Sequence, residues 1–188
     1  MMKPMLGALL ALLAAAPAHA DDFEVDPVHS SVVFRIKHVG VSYTYGRFNQ
    51  VEGTFSLDDD LAKCKVELTI RAASVDTNNA KRDQHLRGPD FFNAEEFPVI
   101  TFTSKQWTKK DADTWTIKGD LSLHGVTQEI SIDVDLVGRG ERGPMGYRAG
   151  VEAVFTIQRS TFDMTFGIDN GGAGDDVKLF VAVEGSRK

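Results

Sequence analysis

Residues Thr114 to Leu136 read TWTIKGDLSLHGVTQEISIDVDL. Apolar and polar residues alternate with period two on both sides of a two-residue break. Trp115, Ile117, Gly119, Leu121 and Leu123 share one face, against Thr116, Lys118, Asp120 and Ser122. After His124-Gly125 the pattern resumes, with Val126, Ile130, Ile132, Val134 and Leu136 against Glu129, Ser131, Asp133 and Asp135. Successive strand side chains point to opposite faces, so each run has one dry face and one wet face. His124-Gly125 makes a tight corner between them. The stretch predicts an antiparallel hairpin buried on one side.

The same signature extends in both directions. Strands are predicted over residues 23–25, 31–39, 46–57, 65–73, 99–106, 147–158 and 177–184. Val32, Phe34, Ile36 and His38 share a face, as do Val66, Leu68, Ile70 and Ala72. Ile100 and Phe102 share another, and so do Tyr147, Ala149, Val151, Ala153, Phe155 and Ile157. In the run 46–57 the alternation slips between Phe48 and Val51 and Gly53 lies inside, which signals a bulge or bend. Gly138 to Gly146 reads as a glycine-rich loop and Ser160 to Asp176 as a long connection. About eight sequential, one-sided strands follow, with no amphipathic helix long enough to cover a sheet. Closing them into an antiparallel barrel buries the apolar face and removes the edges. The expected fold is therefore all-β, an eight-stranded antiparallel barrel. A two-sheet sandwich is the alternative. Strands of roughly ten residues at about 3.3 Å each give a barrel ~30 Å tall. Eight strands enclose either a filled core or one slender apolar ligand.

One segment breaks the alternation. From Val75 to Phe102 the chain reads VDTNNAKRDQHLRGPDFFNAEEFPVITF. Ala80 to Arg87 reads as a short polar helix, stopped by Gly88-Pro89. Phe91, Phe92 and Phe97 then surround an acidic turn. A connection of this length carrying aromatic bulk is either a lid over one end of the barrel or a plug within it.

The first twenty residues, MMKPMLGALLALLAAAPAHA, combine Lys3, an apolar core from Met5 to Ala16 and the A-x-A site Ala18-His19-Ala20. That is the pattern of a secretory signal peptide cleaved after Ala20, and it predicts export to the periplasm. Twelve apolar residues are too few for a hydrocarbon core that needs about 20, so stable membrane insertion is not expected. The 188 residues less the first 20 leave 168, enough for one domain with its own core over residues 21–188. Without Lys3 this domain carries 20 basic and 27 acidic residues, a net charge of −7 with His neutral. The basic residues are scattered, which argues against nucleic acid as a partner. Cys64 is the single cysteine, so an internal disulfide is excluded. Its position before a strand suits a small packing residue, with a reactive thiol as the alternative.

Several ordered motifs resemble the YceI-like family of exported proteins. They begin with Asp26-Pro27-Val28-His29-Ser30, His38-x-Gly40, and Gly46-x-Phe48 before Gly53-x-Phe55. Asp83-x-His85-Leu86, Asp90-Phe91-Phe92 and Phe97-Pro98-x-Ile100-Thr101-Phe102 follow. Gly119-x-Leu121-x-Leu123-His124-Gly125-Val126-Thr127 and Ile157-x-Arg159-Ser160 complete the set, which covers Phe23 to Val183. One position departs from the pattern: Asp163 stands where the family usually has glycine. The resemblance implies a lipocalin-like barrel whose elongated cavity holds a polyisoprenoid, an isoprenoid quinone or a fatty-acid-like amphiphile. It also implies a protein without catalytic activity or cofactor, with a homodimer as an option. Face alternation and the aromatic lid then nominate Phe34, Ile36, His38, Phe91, Phe92, Phe102, Leu121, Leu123, Phe155, Phe162 and Met164 for the ligand pocket. Tyr45, Arg82, His85 and Arg159 are the candidates for a polar head. His38 is a further candidate for that end, and three of these residues have a structural alternative. His38 shares a face with Phe34 and Ile36 and suits a hydrogen-bonded core histidine. Arg82 and Arg87 suit solvated helix charges, and Arg159 suits a brace for the loop after Phe162.

Enzymatic readings are weaker. His29, His38, His85 and His124 fall in neither H-x-H nor H-E-x-x-H spacing, so a metal-dependent hydrolase lacks its ligand motif. Gly-x-Ser-x-Gly is absent. The acidic, glycine-rich run Asp169 to Asp176 lacks the spacing of a calcium loop. A ligand-free structural or partner-binding barrel is the remaining alternative.

Overall fold

The computed structural model describes residues 20–188, so all but the last residue of the expected signal peptide lies outside the described residues. The strands are β1 (Asp21–Val25), β2 (Ser31–His38), β3 (Ser42–Phe48), β4 (Val51–Leu57), β5 (Lys65–Arg71) and β6 (Val75–Asp76). They continue with β7 (Val99–Lys109), β8 (Thr114–Leu123), β9 (Val126–Glu141), β10 (Tyr147–Gln158) and β11 (Ala173–Arg187). Among the described residues there is one α-helix, α1 (Ala80–Arg87), between β6 and β7.

These strands make eight staves, because three of the staves are interrupted. β11 pairs with β2 from Ala173↔His38 to Ala182↔Ser31, and then with β1 from Gly185↔Val25 to Arg187↔Phe23. β1 and β2 are thus one stave, broken where Pro27 fixes the backbone and removes a donor. β3 and β4 form the next stave, pairing with β2 and β1 respectively. β5 and β6 form the third, against β4 and β3. β7, β8, β9, β10 and β11 follow as simple neighbours, and β1–β11 closes the ring. All pairs are antiparallel, so the structure is a closed barrel rather than a sandwich. The slip between Phe48 and Val51 is the break between β3 and β4, which leaves both residues buried. Gly53 is needed beside it: its φ is +154° and a Cβ there would lie 2.1 Å from Glu67 O.

Beyond β3, which starts at Ser42, three strands run further than the alternation predicts, each at an irregularity in register. Gly150 pairs with Gly138 but Val151 with Leu136, so Val137 is an unpaired extra residue, 71% exposed. This bulge shifts the phase, and β9 runs on to Glu141 through what reads as a glycine-rich loop. β7 continues past Gln106 because Lys105 is extra between the pairs Ser104↔Gly119 and Gln106↔Lys118, which brings Trp107 inward. The start of β11 at Ala173, inside the predicted connection, likewise precedes an irregularity between Ala173 and Val177.

The two ends of the barrel differ. At one end Phe23 stacks on Phe55 at 4.8 Å and Trp107 meets Trp115 edge-on at 5.7 Å, with Leu57 and Ile117 buried beside them. Burying such rings stabilises the fold strongly, and their pair geometry adds about 0.5–1.5 kcal/mol per pair. At the other end α1 and the segments 88–98 and 159–172 lie over the staves. An eight-residue helix is marginal by itself. This one is anchored: Asn79 caps it by accepting from Arg82 N, and the buried Asp83 carboxylate accepts from Thr77 N and Oγ1. Arg82 donates to Thr77 Oγ1 and O, and Arg87 to Ala73 O and Val75 O. The two arginines thus bind the helix to the barrel wall instead of standing as purely solvated charges.

A candidate ligand-binding cavity under the helical lid

The half of the barrel beneath the lid is hollow. A cavity of about 430 Å³ occupies it, a size common for small-molecule sites, with almost wholly apolar walls. Cross-strand pairing builds the wall in layers. Phe34, Leu179 and Phe155 stand side by side on β2, β11 and β10, and Ile36, Val177 and Ile157 form the layer nearer the lid. Leu121, Leu123 and Phe102 line the opposite wall. Phe92 descends from the lid and packs edge-on against Phe48 at 5.3 Å. Met164 reaches the cavity from the far loop.

The rim is aromatic and polar. His85, Phe91 and Phe166 form a three-ring cluster with centroids 5.0–5.4 Å apart. The cluster joins the lid to the 159–172 loop. His85 Nε2 also lies 2.8 Å from Asp90 Oδ2. His38 borders the cavity but is exposed at the rim, so it is not the buried core histidine its face suggests. β2 ends at that residue, where the barrel opens.

Arg159 bounds the cavity from an enclosed position, 2% exposed. Its guanidinium donates to Gly174 O (2.8 Å), Met164 O (2.7 Å), Phe166 O (2.8 Å) and Ala173 O (3.2 Å). Burial pushes the guanidinium down from its ordinary value, and the nearby Asp175 carboxylate opposes that shift. Asp175 in turn accepts from Ser160 N and Oγ, which ties the residue after Arg159 to β11. Arg159 is therefore a brace for the loop, with its planar fork matched to converging carbonyls. Arg82 is half-committed in the same way, to Thr77.

Two nominated residues are elsewhere. Tyr45 is 53% exposed on the outer face of β3, because Thr44 and Gly46 take the inward positions of that strand. Phe162 is 1% exposed and packs in the core behind the wall, at the end of a 3-10 turn (Arg159–Phe162). Its carbonyl faces His124 Nδ1 at 3.0 Å. Other lining residues escaped selection. Ile132, Ile157 and Leu179 belong to inward faces already visible as alternation, whereas Thr44, Leu86 and Phe166 carry no such periodic signal.

Outside the cavity, one titratable cluster has metal-ligand geometry among the described residues: Asp26, His29 and Glu184. Arg148 already supplies the cation there, 2.8 Å from Asp26 and 3.4 Å from Glu184. The hydrogen bond from His29, reinforced by Arg148, holds the Asp26 carboxyl far below the usual carboxylate range. Asp26 raises His29 in return. Cys64 is buried at the packed end, where its Sγ donates to Asp58 O, and desolvation pushes the thiol up. That environment suits packing and opposes nucleophilic reactivity.

A family model described as the YceI-like domain matches residues 23–185. The chain belongs to the YceI-like family. It is 43% identical over 190 residues to Protein YceI of Escherichia coli O157:H7, covering 98% of each chain. It is 43% identical over 181 residues to a UPF0312 protein of Pectobacterium atrosepticum, covering 96% of this chain and 93% of that one. Among solved structures, the YceI protein of Campylobacter jejuni is 31% identical with a TM-score of 0.69, covering 81% of this chain and 90% of that one. A polyisoprenoid binding domain from Saccharophagus degradans shares the fold at 16% identity and a TM-score of 0.70, over 88% of this chain and 98% of that one. The backbone conformation at position 163 suits the residue found there. Asp163 has φ +58° and ψ 17°, the left-handed region that glycine enters freely and Asp tolerates. The substitution keeps the turn.

Proposed function

We propose that this YceI-like protein is an exported, non-catalytic carrier that holds a long-chain isoprenoid or similar amphiphilic lipid in its barrel. The observation that carries the reading is the apolar cavity of about 430 Å³, packed shut at the Trp107–Trp115 end and capped by the α1 segment at the other. The polyisoprenoid binding domain of Saccharophagus degradans supports the ligand class by shared fold. A tail in an aqueous compartment gains about 0.8 kcal/mol for each CH₂ it buries, so an apolar tube retains it. The head stays at the rim, near His38, His85 and Phe91. The signal-peptide pattern of Met1 to Ala20 supports a periplasmic location. The test is mass spectrometry of an organic-solvent extract of protein purified without detergent from a periplasmic fraction. A stoichiometric polyisoprenoid, quinone or fatty-acid derivative is expected. A reproducibly empty extract, with no uptake of such lipids afterwards, overturns the reading in favour of a ligand-free barrel.

A further inference from the structure

We infer that Phe102 is the floor of the cavity and sets the length of apolar chain the barrel accepts, an inference that rests on the carrier reading above. Beneath the main cavity lies a second apolar hollow of about 50 Å³, bounded below by Trp107, Ile117 and Val134. Leu68, Phe102, Ile132, Ala153 and Val181 line both spaces, and Phe102 is the one aromatic residue among them. Its ring leans toward the packed end, into the space that Gly119 leaves on β8. A Cβ at Gly119 would lie 2.6 Å from Phe102 Cζ. Gly119 interrupts the otherwise bulky inward row Trp115, Ile117, Leu121 and Leu123, and that interruption is where the ring lies. Opposite, Ala153 is too short to partition the tube. The Phe102 side chain therefore stands between a lined tube and an apolar hollow that continues it. A tail entering beneath the lid stops at this ring. Removing the ring joins the two spaces and extends the tube by roughly one layer of inward side chains, ~6.7 Å along a strand.

The experiment titrates a homologous series of straight-chain alcohols against N-phenyl-1-naphthylamine bound to the mature protein, reading displacement by fluorescence. For the parent, affinity is expected to climb about fourfold per CH₂ and then level off at a cut-off length. In Phe102→Ala the climb continues past that length, so the first alcohols beyond the parent cut-off gain a further fourfold each. Phe102→Leu, which keeps more of the core, extends the cut-off by less and replaces the alanine variant if that one does not fold. A core residue without this role would weaken all chain lengths alike and leave the cut-off in place. An unchanged cut-off in both variants overturns the ruler while leaving the carrier reading intact. A parent that binds no member of the series overturns both.

Discussion

Replacing Arg159 by methionine removes one buried cation and the four carbonyl contacts it makes. The side chain donates to Gly174, Met164, Phe166 and Ala173 at 2.7–3.2 Å from a position 2% exposed. Hydrogen bonds to charged groups contribute about 1.5–3 kcal/mol each, and a buried acceptor left without a partner costs ~1–3 kcal/mol. The full sum is not reached, because removing the guanidinium also abolishes the desolvation penalty of burying it. A net loss of about 3–5 kcal/mol is expected, a large share of the ~5–15 kcal/mol available to a typical domain. Arg159→Lys keeps the charge but one ammonium has three donors on a single atom, so about half of that loss is expected. Urea unfolding of residues 21–188, followed by circular dichroism, measures both. With slopes of ~1–3 kcal/mol/M, the methionine variant shifts the midpoint by at least about 1 M. Hydrogen exchange adds a local readout, since amides in 163–174 lose protection first if the brace holds that loop. A methionine variant within ~1 kcal/mol of the parent, or a lysine variant equal to it, refutes the brace.

Asp163→Gly relieves a left-handed backbone and is expected to raise stability by about 0.5–1 kcal/mol; a loss in the same urea experiment contradicts the φ of +58°. Asp26 raises His29 above its ordinary 6.5. The ion pair therefore contributes fully below that value and fades as pH rises through the raised one, so the stability gap between parent and His29→Gln shrinks as pH rises above 6.5. A constant gap would show that the imidazole is not the titrating partner. The Asp26 side has the opposite sign: its lowered carboxyl contributes above about 3.8 and loses that contribution only in stronger acid. Phe102→Asp places a carboxylate at the cavity floor and is expected to abolish lipid retention with export unchanged, read by extract mass spectrometry of the periplasmic fraction; a full complement of lipid would remove Phe102 from the tube.

How far the site was legible varies from residue to residue. Phe34, Ile36, Leu121, Leu123 and Phe155 face the cavity as their alternation requires, because a strand side chain's face follows from its parity. Tyr45 failed by that same rule once the start of β3 moved back to Ser42. Phe162 and Arg159 sit in a non-repeating segment where parity says nothing. Arg159 suits a head-group cation or a brace equally by sequence, and four carbonyls converging on it from the 163–172 loop and the start of β11 make it a brace.

By itself, the order of apolar and polar residues determined the one-sided strands, their succession as neighbours, the corner at His124-Gly125 and the polar helix stopped at Gly88-Pro89. All of these depend on a few neighbouring residues and so are written locally. Tertiary structure alone decided the bulges at Lys105 and Val137, the division of three staves, the closure of β11 on β1 and the depth of the cavity. A bulge is defined by the partner strand it opposes, and a cavity by side chains arriving from every stave at once. The Phe102 ring and the gap at Gly119 lie on different strands, and only the register between β7 and β8 makes them a floor.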